Sequence, residues 1–409
     1  MTKIYLILLI FLTNCCFLIS IEISERTQIK LEENSDVIIS SISSMTLREG
    51  NLYVISRGEA LIIKYDASNG RIINYKNYKS EISKEIMESF PITGKDPQGF
   101  YYPDLDTITN IYNGKLIEKS LWDSELKNEF SAINIRNDTI FALLKASTYL
   151  ERYDNDKFKR GYNLHNVLIL FDENLDKIGM KNLYDPEYNY GIRNKPFDFI
   201  DGQILSPFFE PKIYYKKQKE DDKDIDLYSI ALVSAEGSIN KKMFTLPSVY
   251  SDNNLIDFSV FWPKPVNSNG KIYAIFELRK EVYDVENNSL AFEIELPVNN
   301  KDAWKKMINK KLPIDEMLTN AVNFFDFINT SIYSTQKGIL VISSIIGDED
   351  KYILAHEYNS QGKVLRKMRI EKENENGNYS TAYYNSEENY LLVARRNDDG
   401  WIIEFVPWN

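Results

Sequence analysis

Two histidines, two cysteines and sixty carboxylates are the residues of this chain best equipped for chemistry. A Ser or Cys triad needs a His held in place by an acid. His165 stands just before the apolar run Val167–Phe171, and His356 lies inside a second run, Ile353–Tyr358. The spacing predicts structural or surface histidines over catalytic ones. Both cysteines, Cys15 and Cys16, belong to the N-terminal apolar stretch, so the body has no thiol nucleophile and no internal disulfide. There is no Gly-x-Ser-x-Gly elbow and no Gly-rich phosphate loop. Two separated histidines without cysteines leave too few ligands for a zinc site. Asp154-Asn155-Asp156 opens like a calcium loop, but Lys159 replaces the turn Gly and His165 the closing Glu, which predicts a solvated loop. Paired carboxylates for glycoside hydrolysis could exist, but no pair stands out among sixty acids. No catalytic, metal or cofactor residue is therefore assigned, and no cofactor is expected.

The body must then be read for what it positions. The chain has 409 residues, 43% of them hydrophobic and 27% charged, and a formal charge of −11. That is ordinary globular composition with an acidic surface, which disfavours nucleic acid and anionic lipid. The densest basic cluster, Lys216-Lys217-Gln218-Lys219, adjoins Glu220-Asp221-Asp222 and reads as a mixed solvated loop. Lys3 followed by Ile4–Leu12 has the form of a secretory signal. Residues 1–20 are expected to be a signal peptide, a lipoprotein signal or an anchor. Leu12-Thr13-Asn14-Cys15 resembles a lipobox, which makes Cys15 the lipidation candidate, although Asn14 departs from the usual small residue. Cleavage near Ser20 and an uncleaved span, Ile4–Ile23, stay open, since a bilayer core needs about 20 apolar residues. All three carry the body out of the cytoplasm, with membrane contact through the N-terminus alone.

Residues 21–409 carry a repeated hairpin. Leu61–Asp66, then Ala67-Ser68-Asn69-Gly70, then Arg71–Asn74 reads as strand, tight turn, strand, because Gly accepts positive φ at no steric cost. Related units occur at 167–181, 230–239, 282–292 and 353–365. An apolar strand precedes each hairpin. Markers for these strands at Leu52, Ile140, Ile204, Ile272, Ile339 and Leu391 are 88, 64, 68, 67 and 52 residues apart. Three near-equal gaps indicate a repeat. The long first gap leaves room for an insertion, or an extra unit, around Phe100–Trp122. The fold class predicted is all-β: a propeller of four-stranded antiparallel blades, six in preference to seven. Helix is expected at Ser83–Phe90 and in an insertion near 301–320, where Trp304, Met307, Ile308 and Leu312 approach helical spacing before Pro313. The last unit ends one strand short at Trp401–Val406. The isolated alternating piece around Ile29 is its natural completion, with Leu31 beside the last blade.

Aromatic-Asp or Tyr-Asn pairs followed by a Gly or Asn turn give the chain a resemblance to bacterial extracytoplasmic β-propellers of the NHL and TolB-like six-bladed kind. The resemblance covers roughly Ile38–Trp408 and implies export, with lipoproteins among its members. It transfers no site residues. The function expected is a non-enzymatic binding or scaffold module at the cell envelope. Its partner would be an envelope protein or a glycan, held at one mouth of the central channel. The alternative is a propeller enzyme acting on an extracellular carbohydrate through channel-facing carboxylates. Asp, Glu, Arg and Tyr with perturbed pKa in one funnel would favour the enzyme, and an apolar, neutral funnel the binder. Three aromatic clusters, at 100–103, 188–190 and 208–211, are expected in loops, as ligand platforms or, preferentially, as blade packing. The acidic runs Glu220–Asp226 and Asp348–Asp350 are expected at hairpin tips.

Overall fold

In the computed structural model of the chain, the residues described are 27–56, 60–78, 94–95, 101–102, 110–112, 115–117, 127–154, 157–183, 189–190, 197–209, 226–234, 238–251, 263–300, 325–346, 351–371 and 380–408. The signal-like stretch with Cys15, both expected helices and most of the two acidic tips lie outside them.

The described residues form six antiparallel sheets of four principal strands each, a six-bladed β-propeller. Blade I is Ile42–Arg48, Asn51–Ser56, Leu61–Asp66 and Ile72–Asn77. Blade II is Lys127–Arg136, Thr139–Asp154, Lys157–Phe171 and Lys177–Asn182. Blade III is Asp198–Ile200, Gln203–Phe209, Tyr228–Val233 and Ile239–Thr245, with Asn189–Tyr190 added beside the second strand. Blade IV is Pro263–Ser268, Lys271–Phe276, Glu281–Asp284 and Ser289–Glu293, and blade V is Phe327–Ser334, Ile339–Ile345, Tyr352–Tyr358 and Val364–Glu371. Blade VI is Ser380–Asn385, Tyr390–Asn397 and Gly400–Pro407, completed by Thr27–Lys30 from the start of the chain. Ile29 stands opposite Ile403, and the Leu31 N–H donates to the Trp401 carbonyl at 2.8 Å. The two ends of the body are thus joined in one sheet, as the spare strand predicts.

All six sequence markers fall in the second strand of a blade. Those strands are covered on both faces, which is why they read as unbroken apolar runs. In blade I, Leu52 and Val54 pack toward blade VI, while Tyr53 and Ile55 pack toward blade II. In blade IV, Ile272, Ala274 and Phe276 face blade III, while Tyr273 and Ile275 face blade V. An apolar cluster fills each of the six seams in this way. Each fully buried Leu, Ile or Phe contributes about 1.5–3 kcal/mol. The core of this protein is therefore a ring of six seams.

The long first gap holds two small two-stranded pieces, Gly94–Lys95 with Tyr101–Tyr102 and Asn110–Tyr112 with Lys115–Ile117. It is an insertion and adds no seventh blade among the described residues. All three aromatic clusters are corrected in part. Tyr101–Tyr102 and Asn189–Tyr190 are short strands, and Phe208 lies inside a long one. The Phe208 ring is buried between blades II and III, so blade packing is its role. His165 lies within the strand Lys157–Phe171, opposite Ala146, and not ahead of it. The same ladder extends to Asp154 opposite Lys157, so Asp154 ends a strand.

Gly70 serves two purposes. Its φ of +75° lets the Asp66–Gly70 turn close, with the Gly70 N–H donating to the Asp66 carbonyl at 2.8 Å. A Cβ there would lie 2.0 Å from the Lys30 carbonyl oxygen, and the Glu32 N–H donates to the Gly70 carbonyl. The hairpin tip of blade I thus receives the segment that closes blade VI.

Candidate functional site

The innermost strand of each blade is an edge strand, and the six edges converge on the axis. That position tolerates Pro263 and Pro265, since an edge strand need not donate every N–H. Where the edges meet lies a cavity of about 140 Å³, bounded by eighteen residues from all six blades. Blade I contributes Ser44–Thr46, blade II Ile133–Ile135 and blade III Phe197 and Asp198. Blades IV, V and VI contribute Pro265 and Val266, Ile332–Ser334, and Tyr383–Glu387.

Hydrogen bonds stitch neighbouring blades around this hub. The Tyr383 hydroxyl donates to the Ile42 carbonyl at 3.1 Å, and Asn385 Nδ2 donates to the Leu47 carbonyl at 2.5 Å. The Ile133 N–H donates to Ser44 Oγ at 3.3 Å, and Asn134 Nδ2 to the Phe197 carbonyl at 2.9 Å. Asp198 Oδ2 accepts from the Asn267 N–H at 2.8 Å, tying blade III to blade IV. The Tyr333 and Tyr384 rings of blades V and VI meet edge to face, 5.9 Å between centres.

Burial governs the titratable groups here. It pushes the Asp198 carboxyl above the usual aspartate range, against the opposing pull of the two backbone N–H donors of Asn267 and Phe199 and of Arg136. Burial raises the Tyr333 hydroxyl to about 12 and the Tyr384 hydroxyl to about 12, so both stay neutral donors at physiological pH. The Tyr384 hydroxyl donates to Asn389 Oδ1 at 2.7 Å. The Tyr333 hydroxyl is buried with no hydrogen bond of ordinary geometry, although Ser331 and the Tyr384 backbone lie beside it. Glu387 is exposed and stands at the mouth. The lining is thus mixed: it has the Asp, Glu and Tyr of an enzyme funnel, and the neutral and apolar groups of a binding one.

The sequence candidates lie elsewhere. His356 is buried in blade V, its Nδ1 3.0 Å from the Tyr358 hydroxyl. That hydroxyl accepts the Glu295 N–H at 2.9 Å, so it donates to a neutral imidazole. Burial, followed by Lys367, holds the His356 pKa below its ordinary value. Among the described residues no Ser–His–acid arrangement forms around it; it locks the seam between blades IV and V. Among the described residues no group of three or more His, Cys, Asp and Glu could hold a metal ion. A second, open hollow beside the closing strand includes Glu32 and Glu33, whose carboxylates already accept the backbone N–H groups of Ile72 and Ile39. None of Asp198, Tyr333, Asn385 and Glu387 was marked by the sequence. They lie on or just after the first strand of each unit, whereas the apolar signal comes from the second.

No family model matches the chain. One curated relative, the eukaryotic translation initiation factor 2-alpha kinase 2 of Plasmodium berghei (strain Anka), is 24% identical over 317 residues. The match covers 67% of this chain but 11% of that relative's length. Among solved structures, a Bacteroides fragilis protein described as exported aligns over 94% of this chain and 95% of its own, at 10% identity and a TM-score of 0.49. The PQQ-bound aldose sugar dehydrogenase of Streptomyces coelicolor aligns over 93% and 98%, at 11% identity and a TM-score of 0.43. A DUF4623 family protein of Bacteroides eggerthii aligns over 94% and 76%, at 7% and 0.42. Likenesses at this level carry no functional residue across.

Proposed function

We propose that this protein is an exported binding module of the cell envelope, holding part of an envelope protein or a glycan at the mouth of its channel. The observation that carries the reading is the cavity bounded by all six blades, five of which present polar side chains in a space that blade packing leaves open. Ligand sites favour such concave places, with a few converging polar groups on an apolar lining. Export rests on the signal-like residues 1–20, with tethering through Cys15 as the lipoprotein form. Among the described residues no helix is long and apolar enough to cross a membrane. A propeller of the NHL or TolB-like kind remains the family expectation.

Binding is preferred to catalysis because the lining holds no His, Lys or Cys to move a proton or attack a substrate near neutrality. One observation favours the alternative. A buried carboxyl with a raised pKa, Asp198, shares the cavity with the exposed Glu387, as an acid and a carboxylate do in glycoside hydrolysis. A single experiment separates the two. Envelope glycans and proteins are incubated with the native chain and with Ser386→Trp, which obstructs the mouth at an exposed position. Ligand retained by the native chain, recovered unchanged and lost in the variant, is the expected result. Release of new reducing ends would transfer the conclusion to the enzyme, and equal retention by both proteins would remove the channel from the function.

A further inference from the structure

We propose that the channel mouth selects a small organic ammonium ion, either free or as the terminal group of a larger envelope molecule. This deepens the channel-binding reading and rests on it. Three features of the cavity lead there.

The first is charge. The eighteen lining residues include two carboxylates, Asp198 and Glu387, and no Lys, Arg or His. They come from blades III and VI, three blades apart around a six-bladed ring, so a ligand on the axis lies between them. The positive group that acts on Asp198 is Arg136, at the exposed end of the inner strand of blade II. Its guanidinium is over the Phe199 ring, 5.8 Å from the ring centre, and it is not among the lining residues. An anionic ligand would meet two carboxylates here and no clamp.

The second is aromatic content. Phe197, Tyr333, Tyr383 and Tyr384 come from blades III, V and VI. Ring faces attract a cation, and the attraction grows when the site excludes water. Phe197 and Tyr384 are buried, so any ring they present is sheltered. The Tyr333 hydroxyl, buried without a well-formed hydrogen bond, supplies an oxygen that an ammonium N–H or a hydroxyl of the ligand can engage.

The third is size. About 140 Å³ is close to an engineered cavity of about 150 Å³ that takes a single benzene ring. A group of that size fits, whereas a run of sugar rings does not. A metal ion is disfavoured because no trio of His, Cys, Asp and Glu is assembled among the described residues.

Asp198 also stitches blade III to blade IV, so its removal can disturb folding for reasons unrelated to a ligand. The test therefore uses exposed positions. Choline chloride, sodium acetate, glucose and calcium chloride are titrated into the full-length chain by calorimetry, alongside Ser386→Lys, Glu387→Gln and Ser386→Trp. Saturable choline binding at one site is expected, with no binding of acetate. Ser386→Lys should weaken choline about tenfold or more, since about 1.4 kcal/mol of added repulsion is one decade in affinity. Glu387→Gln should weaken it severalfold, with both variants melting within a few degrees of the native chain.

The ammonium proposal is overturned by absence of saturable choline binding, by choline binding that ignores Ser386→Lys, or by calcium binding more tightly at the same place. Glucose or acetate binding that Ser386→Trp abolishes would overturn the ligand class yet leave the channel as the site. If none of these probes saturates and Ser386→Trp retains all envelope ligands, both readings fail together.

Discussion

Blades VI and I meet in two very different places. At the closing seam they bury Trp401, Phe405, Leu47, Leu52 and Tyr65 against the N-terminal segment, in a cluster with Ile29, Leu31 and Val37. Nearer the axis, the same two blades present Tyr383, Asn385, Ser44 and Thr46 to a cavity. The seam is sealed: Trp401 is 1% exposed and its indole N–H donates to the Ile39 carbonyl at 2.8 Å. The hub is only partly sealed and leaves the Tyr333 hydroxyl without a good partner. The two places divide the labour. Apolar area between blades holds the ring together, and the inner edge strands carry polar groups, some of which stitch one blade to the next while others line the cavity. Natural proteins often sacrifice stability at a functional site in this way.

Mutations distinguish the sealed seam from the open hub. The largest effect belongs to Trp401→Ala, which removes a fully buried ring and a buried hydrogen bond at the seam. Large-to-small core changes of this kind cost about 3–5 kcal/mol, and chemical denaturation should show that loss while choline affinity in the surviving folded protein is unchanged. Gly70→Ala follows. Its Cβ meets the Lys30 carbonyl and its φ is strained, so a loss of about 2 kcal/mol or more is expected in the same measurement. A Gly70→Ala protein as stable as the native chain would mean that the closing strand does not lie where the seam requires it.

A smaller effect tests a third kind of contact, the buried polar lock at His356. Its folded pKa is below the unfolded value of about 6.5, so the unfolded chain binds the extra proton. The stability this confers is present above about pH 6.5 and is lost as pH falls through the folded pKa. His356→Gln should flatten that part of the stability curve between pH 7 and pH 5. The groups facing it are Tyr358, Glu295 and Lys367. An unchanged acid slope would contradict the neutral, buried imidazole.

The smallest effects are predicted at the hub. Tyr333→Phe gives up no well-formed hydrogen bond, so its stability should stay within about 1 kcal/mol of native. Asp198 has the opposite pH sign to His356. Its raised folded pKa means that its contribution is fullest at low pH and declines as pH rises through that value. Asp198→Asn should therefore gain on the native protein as pH increases from 4 to 7, read as the difference between their melting curves.

Much of the fold was legible in the sequence, and the reason is burial. A second strand covered on both faces must be apolar at consecutive positions, so Leu52, Ile140, Ile204, Ile272, Ile339 and Leu391 all announced a blade. The closing strand was legible through a deficit, one strand missing after Val406 and one spare at Ile29. The site was not legible. Inner strands such as Pro263–Ser268 and Ser380–Asn385 mix polar and apolar residues without a clear period, because one edge of each faces the channel. Asp198 and Glu387 are two acids among sixty. Only the ring brings them to one cavity across nearly two hundred intervening residues. His356 was legible as structural, since it lies inside an apolar run: its ring meets the Tyr358 hydroxyl, which in turn accepts the Glu295 N–H across the seam.

The central claim is that function resides at the hub and not on the outer rim, where Ile73, on the outermost strand of blade I, is 52% exposed. The direct measurement places a photo-crosslinking amino acid at residue 386 in one protein and at residue 73 in another, and irradiates each with the native envelope fraction. The account predicts a discrete adduct from position 386 that excess choline suppresses, and none from position 73. Adducts from position 73 alone would contradict it.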